Sequence, residues 1–250
     1  MTYKDESIVL RSYDCKEYDR LYEVFSNNFG KKVVVAKGVR KPKAKLAGGL
    51  EPITASEIFL AHGRGFDKVT GVIIKDQFPG IKNDFTKINE AKKFFNNIKK
   101  IFADKSLESE VNEKAYDLIY FYLQFLEKRS FVELDNLKIK LSVYWKIINW
   151  LGYQPGIFKC FNCGKKIEEL NFYSFFVPYG VSCGACLNIE KKDFFQEIKI
   201  DKNSLKILRL FLASSQEKVV KVSMPFGSIK KVEKVVKSTL EQIPEKRLDI

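Results

Sequence analysis

The sequence predicts an α+β protein with a small β-barrel at its N-terminal end, followed by an α-helical domain that carries a four-cysteine insert. Three observations in the 250-residue chain favour this division. Short runs of β-branched and aromatic residues, separated by turn residues, occupy residues 1–80. From Asn83 onward, apolar residues recur every three or four positions, as they do on the buried face of a helix. Two Cys-x-x-Cys pairs interrupt the helical region.

The N-terminal region is predicted to form five short strands. They cover residues 8–12, 21–26, 32–36, 53–61 and 68–78. Turn residues at 27–31 and a glycine-bearing turn at 62–65 separate neighbouring strands. Because no long helix lies between the strands, a small closed barrel is favoured, and the five-stranded OB fold is the leading candidate. We therefore expect residues 1–80 to form an OB-fold domain and residues 81–250 to form a helical domain.

Apolar periodicity predicts three helices before the cysteines and two after them. Asp135 is expected to cap the third helix, and Gly152 and Pro155 are expected to end it. After the cysteines, Asp201 is expected to begin a helix, and Pro225 to lie in the first turn of the last helix. The helices on both sides of the cysteines predict one helical bundle into which the four-cysteine module is inserted.

The insert is defined by two Cys-x-x-Cys pairs and is expected to span residues 157–190; its four cysteines are Cys160, Cys163, Cys183 and Cys186. Two residues between thiols let a tight turn aim both sulfurs at one point, and a hairpin can bring two such turns together. The spacing predicts one structural Zn²⁺ in a closed four-thiolate shell, without a ligand position for water. Gly164 and Gly184 are expected to supply backbone freedom to these turns. Four unrelated reduced thiols, a disulfide or a thioredoxin-like redox pair are the alternatives.

The charge balance favours a polyanionic partner. With 44 Lys and Arg against 31 Asp and Glu, the formal net charge is +13, which favours nucleic acid over a membrane surface. Cations concentrate between residues 31 and 50, where no acid occurs before Glu51. The predicted phosphate-binding residues are Lys31, Lys32, Lys37, Arg40, Lys41, Lys43 and Lys45. The alternative is a solvated loop that keeps the chain soluble.

The sequence predicts a binding protein rather than an enzyme. It contains no phosphate-binding G-x-x-x-x-G-K-[ST] loop, no G-x-G-x-x-G after a strand, and no carboxylate cluster suited to a nuclease. His62 is the one histidine, and it lies in a glycine-flanked turn where no Ser-His-Asp set forms around it. Binding without ATP is therefore favoured over catalysis.

The expected location is the cytoplasm, in association with the nucleoid. No apolar run approaches the ~18 residues of a membrane span, and the charged N-terminus has no signal-peptide core. Cys15 is unpaired in sequence, and a free thiol beside a predicted thiolate metal site favours a reducing compartment.

Three stretches of the chain resemble the RecO family of bacterial recombination mediators. The segment AKGVRKPKAKLAGGLEP at residues 36–52 is similar to the family's basic signature, with its Ala-Lys-Gly start and Leu-x-Pro exit. The opening residues 8–11, followed by 17–19, resemble its first strand and turn. Gly152-Tyr153-Gln154-Pro155, just before Cys160, resembles its Gly-Tyr-x-Pro element. The order of barrel, helices, four-cysteine insert and helices also agrees, so the resemblance spans nearly the whole chain.

The resemblance implies a DNA repair protein without catalytic activity of its own. Such a protein binds single- and double-stranded DNA, anneals complementary strands and works with RecR to load the recombinase RecA onto strands coated by single-strand-binding protein. It also implies binding of the acidic C-terminal tail of single-strand-binding protein to a groove on the helical part, between residues 81 and 245. The four cysteines match members that keep zinc. Glu51 and the excess of lysine over arginine depart from the pattern and imply more salt-sensitive binding.

A zinc-ribbon factor that binds RNA or the ribosome is the alternative function. It shares the basic character, the barrel and the zinc. Strand-annealing activity, or a preference for single-stranded DNA over structured RNA, distinguishes the two.

Overall fold

The computed structural model describes residues 2–102, 108–128, 130–153, 155–186 and 196–246, with side chains described up to residue 242. Gln154, residues 187–190 of the predicted insert and residues 247–250 lie outside the described residues. The chain divides into two compact units, Met1–Phe131 and Val132–Ile250. The N-terminal unit therefore contains more than the predicted barrel domain of residues 1–80, because three helices pack with the strands.

Five strands of the N-terminal unit form a closed barrel, as the sequence predicts. The strands are β1 (Thr2–Asp14), β2 (Arg20–Ser26), β3 (Gly30–Ala36), β4 (Thr54–Ala61) and β5 (Asp67–Asp76). Their order is β1-β2-β3-β5-β4, and β4 pairs with β1 to close the barrel. The pairs are antiparallel except β3 with β5, where Val34 lies opposite Asp67 and Val35 opposite Lys68. This is the strand arrangement of the predicted OB fold.

Strand β1 is longer than its apolar centre predicts, because its two halves pair with different neighbours. Residues 2–9 pair with β4 and residues 7–14 pair with β2, with a bulge between Val9 and Arg11. The polar residues at both ends of β1 have a low strand propensity, but this pairing keeps them in the strand. The barrel core lies inside and is formed by apolar side chains that include Val9, Val24, Val34, Ile58 and Leu60.

Three helices complete the N-terminal unit: α1 (Pro79–Lys82), α2 (Phe85–Ile101) and α3 (Ser109–Lys128). The Asp84 side chain caps α2 by accepting bonds from two backbone N–H groups. Helix α3 lies on the β2–β3 hairpin, where the Asn112 side-chain amide donates to the Asn28 carbonyl at 3.1 Å. Gly30 permits this approach, since its φ is +65° and an added Cβ would lie 2.6 Å from Asn112 Oδ1.

Among its described residues, the C-terminal unit combines four helices with a small three-stranded sheet, of which the sequence predicts only a hairpin within the insert. The helices are α4 (Glu133–Trp150), α5 (Lys202–Ala213), α6 (Gln216–Lys221) and α7 (Phe226–Lys246). The strands are β6 (Phe172–Phe176), β7 (Gly180–Ser182) and β8 (Glu197–Asp201), in the antiparallel order β7-β6-β8. Strands β6 and β7 form the predicted hairpin of the insert, and β8, which follows the insert, leads directly into α5.

Two of the predicted helix starts are wrong by a short distance, and one is confirmed. Helix α4 begins at Glu133, so Asp135 lies in its first turn, where it pairs with Lys138 at 2.7 Å instead of capping. Pro225 precedes α7, and its carbonyl accepts from the N–H of Ile229 at 3.0 Å. Asp201 caps α5 as predicted, accepting from the N–H of Ser204. Within the part of the chain that the structure describes, no helix has the length and apolar content needed to cross a membrane.

Candidate functional site

The four predicted cysteines of the insert come together at one point. All four Sγ atoms lie within 4.8 Å of one another, and Cys163 Sγ is 3.6 Å from Cys183 Sγ. A tetrahedral centre with metal–sulfur bonds of about 2.3 Å places its sulfurs about 3.8 Å apart, so these distances fit one metal ion. Four cysteine ligands fill such a shell, which is the arrangement of a structural site.

Local backbone geometry positions the two pairs. In the first turn, the Cys160 N–H donates to the Lys165 carbonyl at 2.8 Å, and the Gly164 N–H donates to the Cys160 carbonyl at 2.9 Å. Gly164 has a φ of +72°, which confirms the predicted need for glycine. Gly184 has no positive φ and open space around an added Cβ, so the same prediction is wrong there. The second pair follows β7 in a short 3-10 turn.

The pKa values of two of the clustered thiols are shifted in opposite directions. Burial would raise the pKa of the Cys160 thiol, but backbone N–H groups, foremost that of Cys183, lower it to about 6. The pKa of Cys186 rises to about 12 because its side chain bonds to Cys183 and lies near the negative Cys160. Four clustered thiols therefore cannot all ionise unless a positive charge lies among them, and a divalent metal ion supplies that charge.

An arginine on α5 fixes the first cysteine turn. The guanidinium Nε and Nη2 of Arg209 donate to the Ile157 carbonyl at 2.9 and 2.7 Å, three residues before Cys160. The same guanidinium lies 5.3 Å from the ring centre of Phe158. This bidentate contact ties the insert to the helices, and neither residue spacing nor helical periodicity indicates it.

The predicted basic residues of the barrel do not form one uniform exposed loop. Lys31 and Lys32 lie within β3, whereas Lys37, Lys43 and Lys45 are exposed beyond its end. Lys32 points to an internal partner, since its Nζ lies 2.5 Å from an oxygen of Asp67. Among the described residues, no acid pairs with the three exposed lysines.

Arg40 and Lys41 contact the connection between β1 and β2. Arg40 lies 3.5 Å from Asp14 and donates to the Glu17 carbonyl at 3.1 Å, while Lys41 Nζ lies 5.5 Å from the Tyr18 ring centre. The expectation that these loop cations face no acid is therefore wrong for Arg40, as it is for Lys32. The reason is that the barrel brings together segments that are separated in sequence.

A groove of about 560 Å³ crosses one side of the barrel and is here called the barrel groove. Its walls are the β1–β2 connection, parts of β2, β3 and β5, and the β4–β5 turn at residues 62–66. Four cationic side chains line it: Lys16, Lys37, Arg64 and Lys68. The one lining acid, Asp19, accepts a bond from the N–H of Gly38. OB folds bind oligonucleotides on this combination of strands and loops.

Sequence reasoning missed three of the four groove cations. Lys16, Arg64 and Lys68 stand singly in separate segments, so no local run of charge marks them. The signal that could have found them is the predicted fold itself, because the first and last turns of an OB barrel flank its ligand face.

Comparison with known proteins agrees with this architecture. Residues 1–78 match the family model described as "Recombination protein O N terminal", and residues 102–248 match "Recombination protein O C terminal". The chain belongs to the RecO family. The resemblance found in the sequence motifs is thereby confirmed.

Relatives named "DNA repair protein RecO" match this RecO-family chain over nearly its whole length. The protein of Desulforamulus reducens is 26% identical over 98% of this chain and 91% of its own. The protein of Caldanaerobacter subterraneus subsp. tengcongensis is 28% identical over 91% of this chain and 86% of its own. The protein of Acetivibrio thermocellus is 26% identical over 97% of this chain and 92% of its own.

Proposed function

We propose that this RecO-family chain is a non-catalytic DNA-binding protein of recombinational repair. In this proposal, it binds single- and double-stranded DNA through its OB-fold domain, residues 1–80, and anneals complementary strands. The observation that carries the proposal is the barrel groove, in which four cations from separate segments line the ligand face of an OB barrel. Family membership supports the assignment to repair and recombination.

The proposed contacts are made to phosphates and not to base edges. Lys37 and Lys68 lie in the groove, and Lys41, Lys43 and Lys45 extend the positive surface along the β3–β4 connection, whereas Lys31 lies at the start of β3. Lys32 and Arg40 chiefly hold the loops, since each already has an acidic partner. Phosphate contacts carry affinity without sequence information. By neutralising both strands, they also reduce the repulsion that opposes annealing.

Annealing of complementary strands tests this proposal directly. Purified protein is mixed with two labelled complementary oligonucleotides, with and without single-strand-binding protein, and duplex formation is followed. We expect faster annealing than without protein, and no strand cleavage or ATP hydrolysis. A lack of annealing together with tighter binding of structured RNA than of single-stranded DNA would instead support an RNA-binding factor. Nuclease or ATPase turnover that a point substitution abolishes would refute the absence of catalysis.

We also propose that the chain acts with RecR to load RecA onto strands coated by single-strand-binding protein, and that it binds the acidic tail of that protein. A second groove of about 280 Å³ supports the tail contact; it lies between strand β1 and helix α2 of the N-terminal unit, and thus only partly within the predicted residues 81–245. The exposed cations Arg11 and Lys92 line it, whereas the apolar Leu10 and Phe95 in its walls are buried. Such a surface suits the carboxylates of an acidic peptide.

Calorimetry with the isolated tail peptide tests the contact. Lys92→Glu should weaken binding, whereas the same change at the exposed Lys93 should leave it unaltered. Equal binding by wild type and Lys92→Glu would place the tail elsewhere on the chain.

The metal of the insert is proposed to be one Zn²⁺ with a structural role. The four cysteines provide the thiolate set that zinc prefers, and the closed shell offers no position at which a substrate could bind. Folding of the module at residues 157–190 is then coupled to metal binding.

A further inference from the structure

The β4–β5 turn places the ring-bearing side chains of the barrel groove. Among the described residues that line the groove, His62 and Phe66 carry rings, and both belong to this turn. Phe66 is 49% exposed, so its ring is accessible from the groove. Phe66 is not explained by phosphate contacts, which require cations or hydrogen-bond donors.

The His62 ring is held in a fixed orientation. It lies on the Tyr3 ring, with centroids 4.9 Å apart and an interplanar angle of 31°. Its Nδ1 donates to an oxygen of Asp67 at 3.2 Å. Tyr3 in turn packs edge-on against Phe29, with centroids 5.6 Å apart. The half-buried Tyr3 therefore lies under His62, and the side chain of His62 remains 59% exposed.

Asp67 anchors this arrangement from below the turn. Tyr3 Oη and Lys32 Nζ each donate to Asp67 Oδ2 at 2.5 Å. Burial would raise the pKa of Asp67, but these two donors hold it well below its usual range, so the carboxylate stays charged. Lys32 thus neutralises the carboxylate that orients His62. This contact gives Lys32 a role that does not involve binding a phosphate.

The turn also fixes Phe66. A Cβ at Gly63 would lie 2.2 Å from the Phe66 carbonyl oxygen, so the backbone closes tightly on itself there. The side chains of His62 and Phe66 both line the groove, and Arg64, which also lines it, lies between them in the sequence of the turn. An exposed apolar ring surrounded by cations suits a partner that offers both flat apolar faces and negative charge.

We propose that His62 and Phe66 form a base-stacking platform, on which unstacked bases of a single strand lie while the neighbouring cations bind its phosphates. The inference rests on the proposed DNA-binding function and deepens it. In a duplex the base faces are covered by their neighbours, whereas in a single strand they are free to stack on aromatic side chains. The platform would favour single strands over duplex without reading their sequence.

A strand without bases tests the platform separately from the phosphate contacts. Binding of a short oligothymidylate is compared with that of an abasic strand of the same length and charge, by fluorescence anisotropy. We expect wild type to prefer the thymidylate strand by about five-fold or more. The double variant His62→Ala, Phe66→Ala should bring this ratio close to one, while binding of the abasic strand is unchanged.

Two further variants serve as controls. His62→Phe keeps a ring and should retain part of the preference, although it loses the bond to Asp67. Phe85→Ala removes an aromatic ring that is 80% exposed on helix α2, outside the groove, and should leave the ratio unchanged. Thermal unfolding of all variants should resemble that of wild type, since the substituted side chains are exposed.

The outcomes distinguish the platform from the wider proposal. Salt-dependent binding of both strands with a ratio near one in wild type, or a ratio that the double variant does not alter, would refute the platform and leave the phosphate contacts standing. Absence of binding to either strand would refute both.

Discussion

Replacing Lys37 and Lys68 together should weaken binding of single-stranded DNA without altering the fold. Both side chains are exposed and line the barrel groove, and among the described residues neither forms an ion pair with an acid. They lie close together, since Lys68 pairs with Val35 in the β3–β5 ladder and Lys37 directly follows the end of β3. The double change Lys37→Gln, Lys68→Gln therefore removes two neighbouring charges from one surface.

The size of the effect follows from counterion release. Each phosphate neutralised on a single strand adds about 0.7 to the slope of log affinity against log salt. Loss of two contacts should make the salt dependence shallower by about 1.4. If both proteins bind equally at 1 M salt, the variant should bind about 25-fold more weakly than wild type at 0.1 M. The decrease should be similar for unrelated sequences, because phosphates carry no base information.

Anisotropy titrations at several salt concentrations measure both quantities. The matched control is Lys93→Gln, Lys114→Gln, which removes the same charge from helices α2 and α3, where these lysines pair with Glu90 and Glu110 at 3.1 and 2.5 Å. The control should change the slope little. An unchanged slope in the groove variant would show that DNA does not run through the barrel groove.

Three further predictions concern the C-terminal unit. Metal analysis should find one zinc per chain. Cys160→Ser should abolish zinc binding and should impair folding more than it directly weakens DNA binding. Protein that is purified without chelator and contains no zinc would contradict this prediction. Arg209→Ala removes the bidentate bond to the Ile157 carbonyl, so a chelator should extract the metal faster than from wild type, whereas equal rates would limit Arg209 to packing. Burial would raise the pKa of Asp201, but Lys231 and neighbouring hydrogen bonds lower it to about 2. The charged carboxylate therefore stabilises the folded state fully above about pH 4, and this contribution is lost as the pH falls toward 2. Chemical unfolding of Asp201→Asn should therefore show less stability than wild type at neutral pH, with the difference vanishing in acid; a constant difference would refute the ionic origin.

Local chemistry was sufficient to predict much of this protein. The run of valines in β3, the cap at Asp201 and the glycine after Cys163 each act on the few residues around them, so the strand, the helix start and the metal-binding turn follow from the sequence. The spacing of the paired cysteines likewise predicts that all four lie at one metal site. Errors at this level were small, such as Asp135, where the first turn of α4 begins two residues earlier than the expected cap.

The three-stranded sheet of the C-terminal unit shows where local chemistry becomes insufficient. Strand β7 has three residues, which is too short for alternation to reveal. It forms because β6 offers it a pairing edge, while β8 takes the other edge. The sheet then carries the second cysteine pair at the end of β7, directly beside the first.

The sequence by itself determined the fold class, the family and the cysteines that meet. Only the tertiary structure decided which cations line the open groove and which pair with acids of the fold. Lys32 and Lys37 stand five residues apart in the same basic run, yet one neutralises Asp67 and the other lines an open groove. Their difference arises because the parallel pairing of β3 with β5 brings in Asp67 and Lys68 from more than thirty residues away. Charge and periodicity describe neighbours along the chain, whereas the partners of a side chain are set by contacts that form only when the barrel closes.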